Sequence, residues 1–339
     1  MQLSICIPTY NRLRQLDNCL NSILIASKKV VDFDFEICVS DNASKEDVNL
    51  IIEKYKKDLN IKINKNKENL GFAVNALKSI NLASGKFAWF IGDDDLILPQ
   101  TLHYLKNIFN NNLSVEYFFI NSYHLNINHL KEFSHPFDTN NLQDFKMKRL
   151  SYYPKNHLVK FWDIIDPNVS WEFLIGIFLS IFKRDKWLAS KNVLNMDDIK
   201  DTNVWSNFDN TCMNAKIIAN AFKDSKSYIC AEPLSVNLSG QREWGTLYEF
   251  IEIVRIPELI DHYRKEGLPL KQYLYCKNYS LRNFANFFAK IFLGGKKTGL
   301  QYVSFRKHIF KNLIFPYAWL SLFFFIYRKL KKMLNLKKL

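Results

Sequence analysis

Phe87-Ala88-Trp89-Phe90-Ile91-Gly92-Asp93-Asp94-Asp95 is the stretch that decides the fold. Five apolar residues ending at a glycine read as a buried strand, and three adjacent carboxylates stand at its carboxyl end. Side by side, such charges repel one another. A fold that gathers them at a buried strand end usually compensates them with a cation. Hard oxygen ligands favour Mg2+ or Mn2+, which commonly bridge carboxylate to phosphate. The plainer reading is a solvated loop with helix-capping acids before Pro99. The apolar strand on one side and the helix start on the other weigh toward a site.

Before this run, strand and helix alternate. Leu3 to Ile7 reads as a buried strand ended by Pro8, and Leu13, Leu16, Leu20, Ile23 and Leu24 recur at helical spacing. Phe35 to Val39 is a second strand, ending in Ser40-Asp41-Asn42. Ser44 is placed to cap a helix carrying Val48, Ile51, Ile52 and Tyr55. Ile61 to Ile63 is a short third strand, Gly71 to Leu82 a helix, and Pro99 opens another helix through Leu102, Leu105 and Ile108. Alternation of this kind predicts an α/β fold with a mainly parallel central sheet flanked by helices. Ligands of such sheets bind at the carboxyl ends of strands. Three of those ends are polar here: Thr9-Tyr10-Asn11, Ser40-Asp41-Asn42 and Asp93-Asp94-Asp95. The first strand lacks the GxGxxG turn of a dinucleotide site, which weighs against an oxidoreductase. The lysine- and asparagine-rich stretch 56–69 reads as genome compositional bias or a solvated turn, not a functional tract.

Charge is distributed unevenly along the 339 residues. The net charge is +14, yet after Glu266 there are 15 Lys or Arg and no Asp or Glu, so the remainder sums to −1. That asymmetry points to an acidic partner surface, either anionic lipid or nucleic acid. Leu313 to Tyr327 is 15 residues without a charge, contains Pro316, and is flanked by basic residues. It is short for a membrane span and suits an interfacial helix better. The apolar run fits a wet phosphate groove poorly, so the expected partner is an anionic membrane surface, with no nucleic acid. Six cysteines without CxxC pairs read as reduced thiols, and the N-terminus carries no basic leader. A cytoplasmic protein, peripheral on the inner face of the cell membrane, is the expectation. The expected organisation is 1–112, 113–265 and a basic, helical, membrane-associating region 266–339. Deleting 306–339 is expected to release the protein from membranes with the nucleotide site intact.

Four segments together resemble glycosyltransferase family 2, the inverting family with the GT-A fold. They are Ser4-Ile5-Cys6-Ile7-Pro8-Thr9-Tyr10-Asn11-Arg12, Glu36 through Ser44, Asn69-Leu70-Gly71-Phe72-Ala73 with Asn75, and Ala83 through Asp95 with Pro99. They occur in the family's order and spacing over about residues 2 to 110. The Gly-Asp-Asp-Asp form is similar to bacterial abequosyltransferase-like enzymes of surface polysaccharides. The resemblance implies transfer of a sugar from a nucleotide-sugar donor to a lipid-linked saccharide or surface-glycan acceptor. It implies that Pro8, Thr9, Tyr10 and Asn11 line the nucleotide site with Asn75, and that Asp41 hydrogen-bonds the base. It implies further that Asp94 holds Mn2+ or Mg2+ with Asp93 and Asp95 beside it. The family often carries an acid where this chain has Gly92, which leaves open which carboxylate touches the metal.

Inversion needs a general base on the face opposite the leaving diphosphate. Asp209-Asn210-Thr211-Cys212 through Lys216, followed by Tyr228 through Leu234, resembles the family's base region. That register implies Asp209 as the base, with Asp201 the second choice; Asn210 occupies one place of the family's acid pair. Capping or turn roles remain open for Thr9, Asn11, Asp41 and Asp209, as does a plain helix start for Gly71. Gln241-Arg242-Glu243-Trp244 is a candidate acceptor or diphosphate loop, and Trp171-Glu172 a candidate border of the acceptor pocket. The competing readings are a non-catalytic binding protein of the same fold and a nucleic-acid binder acting through the basic tail.

Overall fold

The computed structural model describes residues 1–144, 147–170, 172–203, 205–240 and 243–336. In chain order the elements are β1 (Leu3–Thr9), α1 (Leu13–Ser27), β2 (Phe35–Asp41), α2 (Asn49–Tyr55), β3 (Ile61–Lys65), α3 (Gly71–Asn81), β4 (Phe87–Phe90), β5 (Asp95–Ile97) and α4 (Thr101–Asn111). There follow β6 (Tyr117–Asn126), β7 (Lys148–Arg149), β8 (His157–Lys160), β9 (Ser180–Lys183), α5 (Arg184–Ala189), α6 (Met196–Ile199), α7 (Phe208–Phe222) and β10 (Lys226–Ser239). The C-terminal helices are α8 (Tyr248–Phe250), continued by a π-helical turn Ile251–Arg255 into α9 (Ile256–Glu266), then α10 (Leu270–Ser280), α11 (Phe284–Gly294) and α12 (Pro316–Leu336).

The described strands form one ten-stranded sheet, ordered β3-β2-β1-β4-β9-β6-β10-β5, with β7 and β8 pairing at β6 and β10. β3, β2, β1 and β4 are mutually parallel. β9 enters antiparallel between β4 and β6, and β6 runs parallel to β10. The parallel expectation therefore holds for the first half, while β9 and β5 run against it. Residues beyond 113 complete the same sheet.

Alternation along the strands explains the two layers. Leu3, Ile5, Ile7, Ile37, Val39, Phe87, Trp89 and Ile91 point to one face, where they meet Leu16, Leu20, Ile23, Ile52 and Leu102 from α1, α2 and α4. Cys6, Cys38, Ala88, Phe90 and Phe182 point to the other, against Ala76 and Ile80 of α3, Ile217 and Phe222 of α7 and Leu259 of α9. A sheet covered on both faces needs apolar residues at successive positions, hence the unbroken run in β4. All six cysteines are free and buried in these layers.

Two expected helix caps do not form. α1 starts after Arg12 without a side-chain cap, and α2 starts at Asn49, beyond reach of Ser44. Ser44 Oγ instead accepts the Asn11 amide at 2.8 Å, and Asn11 adopts a left-handed φ of 54°. The loop after β1 is thus tied to the loop after β2.

Among the described residues no single helix is long and apolar enough to cross a membrane. The pair Phe305–Ile314 and Pro316–Lys331 passes only jointly, bent by 96°. Pro316 sits at the first position of α12, where its missing N–H costs nothing.

Candidate active site

A cavity of about 480 Å3 opens at the carboxyl ends of β1 and β4. Pro8, Thr9, Tyr10, Asn11 and Arg12 form one wall, and Asn42, Asn69, Gly71 and Asn75 form the adjoining wall. Asp93, Asp94 and Asp95 lie across the centre. Glu172, Asp201, Asn210 and Glu252 face them from the second half of the chain.

The acidic triplet does not act as three equivalent ligands. Asp93 is buried; its Oδ2 accepts the Thr9 hydroxyl at 2.7 Å and its Oδ1 lies 3.2 Å from Arg12 Nη1. The same guanidinium nitrogen is 3.3 Å from Asp94 Oδ2. Burial, and then repulsion from Asp94, push the Asp93 carboxyl up to about 7 against the pull of Arg12 and Thr9. Asp95 lines the cavity too, but it anchors the turn: Oδ2 accepts the Gly92 amide at 3.0 Å and Oδ1 accepts Asn237 Nδ2 at 2.7 Å. A Cβ on residue 92 would come within 2.8 Å of Asp94 Oδ1 and 3.0 Å of Asp95 Oδ2. Glycine at 92 is therefore what lets the two carboxylates fold back over the backbone.

Among the described residues no group of three His, Cys, Asp or Glu side chains is arranged to hold a metal. Asp93 and Asp94 remain a buried pair of hard-oxygen groups with their charge incompletely compensated, since Asp93 is driven toward its neutral form. This donor set fits an Mg2+ or Mn2+ ion held by two carboxylates and completed by phosphate oxygens or water. It does not fit a closed all-protein cage.

The asparagines of the second wall are a single network. Asn75 Nδ2 donates to the Ser40 carbonyl at 2.8 Å and the Thr9 carbonyl at 3.3 Å. Asn66 Nδ2 donates to Asn75 Oδ1 at 3.0 Å and to Asn42 Oδ1 at 3.1 Å, and Asn42 Nδ2 donates to Asn69 Oδ1 at 2.7 Å. The asparagine-rich stretch is therefore partly a buried scaffold for the cavity and not only a solvated turn. Asn42 and Asn69, which line it, stood in segments the sequence singled out but carried no role of their own there, because asparagine is also a common turn residue.

Several predicted residues stand elsewhere. Asp41 is fully buried behind the wall; its Oδ1 accepts the Ser44 amide at 2.9 Å, and its Oδ2 is buried without a hydrogen-bond partner. Asp209 lies outside the cavity lining. It is paired with Lys216 at 2.7 Å and accepts the Asn195 amide at 2.5 Å. Asn207 caps α7, so Asp209 and Asn210 occupy successive positions about 100° apart, and only Asn210 faces the cavity. Asp201 does line the cavity. Burial would raise its pKa, but the Ser206 hydroxyl at 2.5 Å and the Asn203 amides outweigh this and hold it below the usual carboxylate range. Glu172 lines the cavity; Trp171, Gln241 and Arg242 lie outside the described residues. Glu252 was not singled out by sequence. It is 5% exposed, raised by burial, and held by Arg282 at 3.2 Å and Asn283 Nδ2 at 3.0 Å.

The family model for glycosyl transferase family 2 matches residues 4–165. Those residues, just under half of the chain, are what is similar to glycosyl transferase family 2. The chain is similar to the abequosyltransferase RfbV of Salmonella typhimurium, 36% identical over 108 residues. That match covers 31% of this chain and only 32% of the relative. The fold is that of S. aureus TarS residues 1–349 in complex with UDP: TM-score 0.55 at 16% identity, covering 90% of this chain and 76% of that one. The TarS complex with UDP-GlcNAc gives 0.54, with coverages of 88% and 75%. The chain therefore has the GT-A architecture of these structures, with the cavity at the carboxyl ends of β1 and β4.

Proposed function

We propose that the chain is an inverting glycosyltransferase. It would take a sugar from a nucleoside-diphosphate donor and pass it to a hydroxyl of a lipid-linked saccharide or surface-glycan acceptor, at an anionic membrane surface on the cytoplasmic side. The observation that carries this reading is the meeting of Thr9, Arg12, Asp93 and Asp94 on one wall with carboxylates of the second half on the other, in one cavity. The family supports a sugar-transfer chemistry, and the two TarS complexes supply the analogy of a uridine nucleotide donor.

In this reading the loop 8–12 and Asn42, Asn69 and Asn75 bind the nucleotide and fix its orientation. Asp94 and Asp93 would hold Mn2+ or Mg2+, which when bound neutralises charge on the leaving diphosphate. Arg12 takes the same sign of charge to the same place and shields the carboxylates from each other. Asp201 is the base: it removes the acceptor proton as the acceptor oxygen bonds to the anomeric carbon and the bond to the diphosphate oxygen breaks. A low pKa keeps Asp201 ionised at neutral pH, at some cost in basicity. Asp41 supports the loop after β2, with its orphaned oxygen the one feature that favours a ligand contact.

Calorimetric titration with a panel of nucleoside diphosphates, with and without Mn2+, tests the donor half of the reading. Metal-dependent binding of one nucleotide is expected. A folded protein that binds none of them would overturn it in favour of a non-catalytic role.

A further inference from the structure

A second, smaller cavity of about 230 Å3 lies where α12 crosses the start of α11. Its walls include Arg282, Asn286, Ser321, Phe324, Arg328 and Lys329. Three cations converge on it. Among the described residues neither Arg328 nor Lys329 has a carboxylate partner, and no acidic residue exists after Glu266 to supply one from this part of the chain. Lys329 Nζ instead rests 5.6 Å from the Phe325 ring centroid. Arg282 is the exception, with one nitrogen 3.2 Å from Glu252 and its guanidinium 4.3 Å from the Tyr279 ring centroid.

The helix that closes this cavity has an unusual outer face. Trp319, Leu320, Phe323, Phe324, Tyr327 and Leu330 are each at least 44% exposed. At 100° per residue they fall within an arc of about 140°. Ala318 and Ser321, which are buried, lie on the opposite side. One helix thus turns an aromatic stripe outward and carries cations at its end. In water that stripe is unfavourable, whereas at a bilayer interface aromatic rings and flanking lysines are both favourable.

We infer that the cavity between α11 and α12 is a phosphate site for an anionic phospholipid of the bilayer, and that it seats α12 flat in the interface. Arg282, Arg328 and Lys329 supply the positive charge, with Asn286 and Ser321 on the wall. This deepens, and rests on, the membrane-surface reading above. It also gives that surface a short route to chemistry, because Arg282 is paired with Glu252, which lines the larger cavity.

The test uses the full chain in flotation with phosphatidylcholine vesicles, with or without phosphatidylglycerol. Two double variants are compared: R328A/K329A, on the side of α12 that lines the cavity, and K296A/K297A, which removes the same charge from the loop after α11. The wild type is expected to float with phosphatidylglycerol vesicles and not with phosphatidylcholine alone. R328A/K329A should lose at least tenfold more affinity than K296A/K297A, with nucleoside-diphosphate binding unchanged. Equal losses in the two variants would overturn the phosphate site while leaving diffuse membrane attraction. Equal floating with both vesicle types would reduce the surface to apolar insertion and overturn it as well. Failure of the wild type to float at all would remove the membrane-surface reading together with the site.

Discussion

Asp94 faces the cavity from a turn that Gly92 keeps open, within 3.3 Å of a guanidinium and beside a carboxyl already driven toward neutrality. Asp94→Asn is nearly isosteric and removes one of only two carboxylates suited to the ion. Sugar transfer is expected to fall about a thousandfold, on the scale of losing a main electrostatic contributor to catalysis. Thermal unfolding should show a melting temperature within a few degrees of the wild type. Activity close to normal would remove Asp94 from the site. The base assignment separates at the same scale. Asp201→Asn should abolish transfer while leaving donor binding, read by calorimetry, intact. Asp209→Asn should leave a folded protein that transfers sugar but is about 2 kcal/mol less stable, because it strands the part-buried Lys216. The opposite pattern would restore Asp209 as the base. The acidic triplet was legible in sequence because adjacency brings its members together in any conformation. The choice between Asp209 and Asn210 was not, since it depends on where α7 begins: a start one residue earlier or later turns a different side chain into the cavity.

At the scale of elements, β1, β2 and the turn before β4 are fastened by a single buried carboxylate. Glu36 Oε1 accepts the Ser4 hydroxyl at 2.7 Å and the Ser84 amide at 2.6 Å, and Oε2 lies 2.7 Å from Lys62 Nζ. Gly85 is required beside it, because a Cβ there would come within 2.7 Å of Ser4 Oγ. Burial would raise the Glu36 pKa, but Lys62, Ser4 and Ser84 together hold it at about 2, below the ordinary 4.5. The sign follows directly. Above about 4.5 the carboxylate is ionised in both folded and unfolded chains and its stabilisation is complete. As pH falls toward 2 the unfolded chain takes up the proton first, and the stabilisation is lost. Glu36→Gln is therefore expected to cost about 2 kcal/mol at neutral pH and less as pH falls through this window. Denaturant midpoints measured from pH 7 to pH 3 check it; a constant gap between variant and wild type would contradict it. Strand and helix existence up to α4 could be read from periodicity, since burial on both faces writes itself into unbroken apolar runs. β9 could not be placed, because its insertion against the direction of β4 is set by pairing with β6, more than fifty residues away in sequence.

On the scale of the whole molecule, the basic tail is both a surface and a structural part. His308 is buried with Nε2 3.0 Å from Glu258 Oε1, and Lys307 Nζ reaches the same oxygen at 2.5 Å. Glu258 in turn pairs with Arg255, which donates to the carbonyls of Trp205 and Ser206 at 3.0 and 2.6 Å, beside the larger cavity. Phe315 and Ala318 are buried against Phe250, Ile253 and Phe284. Charge asymmetry raised the expectation of a membrane role for the tail, but these long-range contacts leave no periodic trace in sequence. Removal of 306–339 as a separable anchor is thus no longer the expectation. The deletion would strip the Lys307 ion pair and the His308 hydrogen bond from a buried carboxylate and uncover an aromatic side chain, together worth about 5 kcal/mol. For a chain of this size that corresponds to a fall in melting temperature of roughly 10 °C or more. Nucleoside-diphosphate affinity should weaken with it, because the strut from Glu258 through Arg255 to Trp205 and Ser206 loosens. Thermal unfolding and donor calorimetry on the truncated chain, beside R328A/K329A, distinguish the two roles of the tail. The point variant should lose membrane affinity and keep both stability and donor binding, whereas the truncation should lose all three. A truncated chain with unchanged melting temperature and donor affinity would mean that the tail is only an appendage and that the buried ion pairs around Glu258 contribute nothing to the cavity.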